Sequence, residues 1–152
     1  MLSGRLIHLI EAHQEQIAAR VVHEIRRHPD IVNMRKLPDA ELRERGQQIL
    51  EQLGHWLSGG YDAEIEQHYE VLGRQRFEES IPLHEPVRAL AILKDKMIDF
   101  VHEQQIAKTS VELYAEEELE RRVGRFFDTL TVHMVRGYET AWRRAAHATA
   151  TA

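Results

Sequence analysis

The chain has 152 residues, of which 43% are hydrophobic and 30% are charged, and this balance is typical of one globular domain. Its formal net charge of −5 argues against a protein that binds nucleic acid or an anionic membrane surface. Cysteine is absent from the sequence, which excludes disulfides, thiolate metal ligands and a thiol nucleophile. The best apolar run, VRALAIL (87–93), is too short to span a membrane, and the N-terminus lacks the pattern of a secretion signal. We therefore expect a cytoplasmic protein.

Apolar residues recur at helical spacing along most of the chain, and strand-like alternation is lacking. This pattern predicts an all-α fold, a single bundle of about five helices with a long C-terminal helix. The expected helices cover about residues 3–27, 38–58, 62–79, 82–105 and 109–142.

Local signals set the ends of these helices. Pro29 ends the first helix, since a residue that precedes proline avoids helical geometry. Gly59–Gly60 ends the second helix, and Pro86 fits only the first turn of the fourth. Thr109 and Glu112 form a capping-box pattern at the start of the fifth helix.

Three positions inside the helices carry specific packing predictions. We expect His13 on the inner stripe of the first helix and Trp142 on that of the last. Gly73 lies inside the third helix, where glycine costs about 1 kcal/mol relative to alanine. Its presence favours close packing of a neighbouring helix, with backbone approach to a ligand as the alternative.

The last helix is predicted to exceed the others in length, at roughly 50 Å, so its end should overhang the bundle. The small residues of AAHATATA follow it and are typical of a flexible linker or the cut end of an excised domain. We therefore predict a helical sensory or regulatory domain over residues 3–145 and a linker or cut end over 146–152. The pattern leaves open a four-helix bundle with an added helix and a globin-like arrangement.

Residues 71–100, VLGRQRFEESIPLHEPVRALAILKDKMIDF, combine a Leu-Gly-Arg-x-Arg helix end, an Ile-Pro-Leu connection and a Val-Arg-Ala-Leu helix. This segment resembles the N-terminal domain of the RsbT co-antagonist (RsbRD) family, and the first two helices resemble those of that family. The resemblance implies an all-α sensory or regulatory domain at the front of bacterial signalling proteins, among them STAS proteins and histidine kinases. It also implies a domain without catalytic residues. The related RsbR input domains are globin-like without haem, which implies an analogous fold here.

HEIRRHPD, residues 23–30, is similar to the phospho-accepting box of sensor histidine kinases. In that box the proline follows the histidine by five residues, whereas here Pro29 follows His23 by six. The first helix is also predicted to stop at this point, and no glycine-rich ATP lid is present. We interpret His23 as a solvent-facing histidine near a helix end, although a full-length parent protein could be a histidine kinase.

Three histidines form the alternative prediction of a haem or metal site. His13, His68 and His133 adjoin apolar residues at helical spacing, and histidine in a bundle core can bind either group. The two Glu-x-x-His repeats of a carboxylate-bridged dimetal bundle are missing from the sequence. Each histidine is also consistent with an ordinary hydrogen-bonded position, so no cofactor is expected.

A second candidate site consists of Arg74, Arg76 and Arg88, which cluster around the turn before the fourth helix. They could bind an acidic ligand or a carboxylate of a partner. The alternative is a solvated rim with pairs such as Arg74–Glu78.

The sequence therefore predicts a cytoplasmic input domain of a bacterial signal-transduction protein that relays a signal through its last helix to an output domain. We expect a homodimer, an output domain or partner protein, and no nucleic acid or membrane. The alternatives are a haem-, metal- or small-molecule-binding sensor and a structural dimerisation module. No nucleophile–base set, P-loop or dinucleotide fingerprint is found, so we predict no catalytic residues and no enzyme.

Overall fold

A computed structural model describes residues 2–151, and these residues form seven α-helices, one short 3-10 helix and no strand. The all-α prediction and the long C-terminal helix are confirmed. The helices are α1 (Leu2–Ala12), α2 (Gln14–Arg27), α3 (Asp39–Leu50), α4 (Leu53–Leu57), α5 (Asp62–Glu78), α6 (His84–Gln104) and α7 (Ser110–Thr151). The 3-10 helix, Met34–Lys36, lies between α2 and α3.

Two of the five predicted helices are each divided by a break, at His13 and at Gln52. The backbone leaves helical geometry at His13, with φ −109° and ψ 24°, and at Gln52, with φ −127° and ψ 36°. The His13 ring hydrogen-bonds through Nδ1 to the Leu9 carbonyl oxygen at 2.9 Å, and its side chain is exposed. The prediction that His13 lies on the inner stripe is therefore wrong, because the chain bends there and the apolar face resumes at Ile17, which is fully buried.

A continuous apolar core joins α1, α2, α3, α5, α6 and α7. Helix α2 packs against α3 and α6, while α5 packs most extensively on α7. The side chains that fill the centre are fully buried and include Leu6, Ile10, Ile17, Leu50, Leu53, Met97, Leu119, Leu130 and Met134.

Helices α5 and α7 cross with their backbones in direct contact at two glycines. A Cβ added to Gly73 would lie 2.8 Å from the Tyr138 nitrogen and closer still to the Met134 carbonyl oxygen. A Cβ added to Gly137 would lie 2.7 Å from the Glu70 Cα and closer still to the Glu70 carbonyl oxygen. The prediction that Gly73 serves close helix packing is confirmed.

Two buried charged groups fix the connections around the core. The Glu85 carboxylate is fully buried and accepts hydrogen bonds from the Asn33 nitrogen at 2.8 Å, the Asn33 Nδ2 at 2.6 Å and the Met34 nitrogen at 2.9 Å. The Arg76 guanidinium is 2% exposed and pairs with Glu79 at 2.7 Å and Glu41 at 3.2 Å. A buried charge that lost these partners would be strongly destabilising, so both groups hold the connections in place.

Helix α7 begins at the predicted capping box and runs well beyond the bundle. The Glu112 nitrogen donates to Thr109 Oγ1 at 3.1 Å, and the Thr109 nitrogen donates to the Glu112 carboxylate at 3.2 Å. Hydrogen bonds from the backbone of Lys108 and Thr109 lower the pKa of the Glu112 carboxyl. The helix is 42 residues long, or about 63 Å at 1.5 Å per residue.

The last buried side chain of α7 is Ala141, and Trp142 is 58% exposed. The prediction that Trp142 faces the core is therefore wrong, because α7 has left the bundle at that point. We predict a linker or cut end over residues 146–152. Residues 146–151 continue α7 as helix, Ala152 lies outside the described residues, and the role of the segment stays a prediction.

We expect Gly73→Ala and Gly137→Ala each to lower the free energy of unfolding by about 1–3 kcal/mol, since an added Cβ forces the two backbones apart. Gly124→Ala is the matched control, because it lies within the same α7 and an added Cβ there meets nothing within 4 Å. This change should raise the stability by about 0.5–1 kcal/mol. Urea unfolding measures all three variants, and equal stability of Gly137→Ala and Gly124→Ala would contradict the crossing.

Candidate functional site: a cavity beside the helix crossing

A cavity of about 260 Å³ lies between α3, α4, α5 and α7. Its size approaches the lower end of the range for small-molecule sites, about 300–1,000 Å³. Its lining residues are Arg45, Gln48, Ile49, Glu51, Gln52, Trp56, Glu64, Ile65, His68, Tyr69, Leu72, Phe126 and Leu130.

The apolar wall of the cavity comes from all four helices and depends on the break at Gln52. The break redirects the chain into α4, which carries Trp56, and the Trp56 Nε1 donates to the Gln48 carbonyl oxygen at 3.3 Å. Tyr61, beyond α4, stacks on His55 with the ring centroids 3.7 Å apart. This aromatic group supports α4 over the cavity, where Trp56 faces the apolar side chains of α5 and α7.

Polar groups with free bonding capacity gather on one side of the cavity. The Arg45 guanidinium donates to Gln75 Oε1 at 2.8 Å and also lines the cavity. Burial raises the pKa of the Tyr69 phenol, against the opposing effect of the Arg45 charge. The Tyr69 hydroxyl therefore keeps its proton at neutral pH, and within residues 2–151 it makes no hydrogen bond, so it can bond to a ligand.

A second, smaller cavity of about 60 Å³ lies deeper in the core, towards α2 and α6. The two cavities share four lining residues: Arg45, Ile49, Tyr69 and Leu72. The lining of the larger cavity combines apolar side chains with Arg45, Glu51, Glu64 and His68. It therefore suits a small amphipathic molecule with a polar group within reach of Arg45 and Tyr69.

The three arginines of the predicted anion site lie in different environments. Arg76 is buried and paired with two carboxylates. Arg74 is exposed and lies 3.8 Å from Glu78, the i,i+4 partner predicted as the alternative, and Arg88 is exposed on α6. Arg76 borders the deeper cavity, whereas Arg74 borders a groove beside Gly137. Ligand binding by these residues stays a prediction.

The three histidines of the alternative haem or metal site also lie apart. His13 is exposed, with its ring centroid 5.3 Å from that of Phe100. His68 is exposed at the rim of the larger cavity. His133 is half-buried on α7, where its ring and the carboxylates of Glu66 and Glu70 bring their ligand atoms within 4.8 Å of one another. Only for His133 does the structure bring together a set of candidate ligands, and no haem or metal role is tested for any of the three.

The phospho-accepting pattern around His23 lies at the end of a helix, as the sequence analysis predicts. Helix α2 ends at Arg27, and the exposed His23 ring lies 3.1 Å from the Arg27 guanidinium through Nε2. A continuous helix through Pro29 is therefore not formed.

The fold and its cavity place the chain among all-α domains with a long, projecting last helix. A family model described as the RsbT co-antagonist protein rsbRD N-terminal domain matches residues 15–152. The chain belongs to this family, and the predicted resemblance is confirmed. The match begins at the start of α2, so α1 lies outside it. The family supports a regulatory input domain of a signalling protein as the general function.

Comparison with curated proteins and with solved structures gave no match. No helix in the described part of the chain combines the length and the apolar character that a membrane span requires.

The stability of the protein should fall above about pH 10, the usual pKa of tyrosine in an unfolded chain. The pKa of Tyr69 is raised in the fold, so its contribution is complete below pH 10 and declines as the unfolded chain ionises. The loss should reach about 1 kcal/mol by pH 11. Urea unfolding from pH 8 to 11 should show that Tyr69→Phe removes this part of the loss.

Tyr114→Phe is the control for this measurement, because Tyr114 is 66% exposed. This substitution should leave the loss of stability at high pH unchanged. A Tyr69→Phe protein that loses as much stability at high pH as the unsubstituted chain would show that the phenol is not buried as described.

Proposed function

We propose that this domain is the cytoplasmic regulatory input module of a bacterial partner-switching signalling protein. A small molecule in the cavity, or a partner that contacts its rim, changes how α5 packs against α7. Helix α7 passes this change to an output module such as a STAS domain. The proposal assigns no catalytic step to the domain itself. Membership of the RsbRD N-terminal family supports the regulatory role.

One observation carries the relay: a single helix both forms a wall of the cavity and projects from the bundle. Phe126 and Leu130 of α7 line the cavity, and Gly137, further along, contacts the α5 backbone. The helix then continues beyond Ala141, its last buried residue, to Thr151. Because the helix is continuous, a rotation or shift at the cavity moves the projecting end as well.

Changing the rotation of the end of α7 relative to the output module tests this relay directly. One to seven alanines are inserted after Ala145 in the chain joined to a STAS output module, and the output's binding to its partner is recorded. A rigid helix predicts output that varies with the insertion length at a period of about 3.6 residues. Output should therefore recover near insertions of four and seven residues.

A flexible connection predicts output that is independent of the insertion length, and that result would contradict the relay. Glycine–serine insertions of the same lengths at the same position serve as the control, because they break the helix without changing the domain.

A structural dimerisation module is the second candidate function, and the exposed side chains of α7 favour it. Five of the six large hydrophobic side chains that the structure exposes lie on this helix: Val111, Leu113, Tyr114, Val132 and Trp142. Val111 and Val132 are 21 residues apart, and Tyr114 and Trp142 are 28 residues apart. These separations are multiples of seven, so the four side chains fall on one stripe of a coiled-coil period. The same stripe carries the charged residues Glu118, Arg121, Arg125 and Asp128 between them.

We expect this stripe to contact a second copy of the chain, with sedimentation equilibrium showing a dimer. Val132→Glu should weaken the dimer, because it places a charge among the apolar contacts. Val32→Glu is the matched control, since Val32 is 53% exposed and Val132 is 50% exposed, and Val32 lies outside α7. A monomer at all concentrations, or equal effects of the two changes, would contradict the stripe as an interface.

A further inference from the structure

Three side chains with metal-binding chemistry meet at the side of the α5–α7 crossing. Glu66 and Glu70 are one turn apart on α5, and His133 lies on α7. One ligand atom from each lies within 4.8 Å of the other two. From this arrangement we infer that Glu66, Glu70 and His133 bind a divalent transition-metal ion, with water completing its coordination.

The backbone contact between the helices positions these ligands. Gly137 rests on the Glu70 backbone and lies one turn beyond His133 on the same helix. The carboxylates and the imidazole are therefore carried by two helices whose backbones are in direct contact beside them. Ligands on rigid elements are already near their bound geometry, which reduces the cost of binding an ion.

The three side chains have atoms that could bind a ligand and are not used in other bonds. The His133 Nδ1 is buried and has no hydrogen-bond partner. Within residues 2–151, the carboxylates of Glu66 and Glu70 make no hydrogen bond or ion pair with another side chain. Two like charges at i,i+4 spacing repel each other, and a buried nitrogen without a partner is destabilising. A bound cation would offset the repulsion between the two carboxylates, and coordination through Nδ1 would give that nitrogen a partner.

The donor set selects the class of ion. One imidazole nitrogen and two carboxylate oxygens suit Zn²⁺, Fe²⁺ or Mn²⁺, whereas Mg²⁺ prefers oxygen ligands and retains its water. Around Zn²⁺, ligand atoms at about 2.1 Å from the ion are roughly 3.4 Å apart in a tetrahedral site. The spacing of at most 4.8 Å needs only small side-chain rotations to reach this geometry.

An arginine is the competing occupant of this position. Arg74 and Arg144 line the groove that Glu66 and Glu70 also line, and either guanidinium could approach the carboxylates. Neither one pairs with them in the structure: Arg74 lies near Glu78 instead, at 3.8 Å. Arginine pairing would not bind Zn²⁺, so metal titration separates the two occupants.

The chain offers an internal control with the same residue types. His102, Glu116 and Glu120 also bring their ligand atoms within 4.8 Å, but the His102 side chain is 58% exposed and its Nε2 already hydrogen-bonds to the Glu120 carboxylate. Because that histidine is solvated and already paired, His102→Ala should not change the binding that we assign to His133.

The test is titration of the metal-free full chain with Zn²⁺ by calorimetry, with Co²⁺ absorption as a second readout. We expect one Zn²⁺ per chain that excess Mg²⁺ does not displace. His133→Ala and Glu70→Gln should each weaken it by about tenfold or more, while His102→Ala leaves it unchanged. Circular dichroism checks that the variants are folded. If His133→Ala does not fold, Glu70→Gln, which keeps the side-chain size, tests the site alone.

Absence of Zn²⁺ binding, or binding that survives both His133→Ala and Glu70→Gln, would overturn the site. The signalling consequence rests on the proposed function: an ion at this position would join α5 to α7 and so act on the projecting helix. Zn²⁺ titration reports the site alone, and the alanine insertions report the relay alone. If the chain binds Zn²⁺ but its output is the same for every insertion, the site stands and the relay is contradicted. If the output varies with the insertion length but Zn²⁺ does not bind, the relay stands and the site is overturned.

Discussion

Two glycines bring the backbones of α5 and α7 into contact, and the geometry of the cavity depends on that contact. Side chains normally separate the backbones of two packed helices. At Gly73 and Gly137 no side chain lies between the backbones, since any Cβ would overlap the opposite backbone. The contact therefore limits how closely the cavity walls on α5 and α7 can approach. In the proposed relay, an occupant that needs more room would separate these two helices, and α7 is the one that projects from the bundle.

The segment that carries the family resemblance also anchors this crossing. Arg76 and Glu85 are buried, and their bonds hold the chain before α3 and after α5. The Tyr138 hydroxyl, one residue beyond Gly137, donates to the Ile81 carbonyl oxygen at 2.8 Å, and burial raises the pKa of this phenol. Gly73 and Ile81 of this segment thus contact α7 directly, while Arg76 joins α5 to Glu41 of α3.

Sequence reasoning succeeds where local chemistry decides the structure. Pro29 ends a helix through sterics, and the capping box at Thr109 starts one through local hydrogen bonds. Both predictions are confirmed. Gly73 is identified because glycine is costly inside a helix unless something lies close to it. The break at His13 has no glycine or proline beside it to mark it. Gly54 follows the break at Gln52 by two residues and donates its backbone N–H to the Glu11 carboxylate, a contact between distant segments.

The candidate site is less predictable, because its parts come from distant segments. The sequence predicts the helices that form the cavity walls, but not that a space remains between them. It identifies His133 as a candidate ligand without its partners Glu66 and Glu70, which only the crossing brings near. It groups Arg76 with Arg74 and Arg88, whereas the structure buries Arg76 and pairs it with Glu41, 35 residues earlier.

The most direct test of coupling between the cavity and the projecting helix uses the two tryptophans of the chain. Trp56 lines the cavity, and Trp142 lies just beyond the last buried residue of α7. Ile65→Phe fills part of the cavity in place of a ligand, and the indole N–H signals in a nitrogen–proton NMR spectrum report each end. A rigid crossing predicts that both signals shift. A shift of the Trp56 signal alone, with that of Trp142 unchanged, would contradict the account.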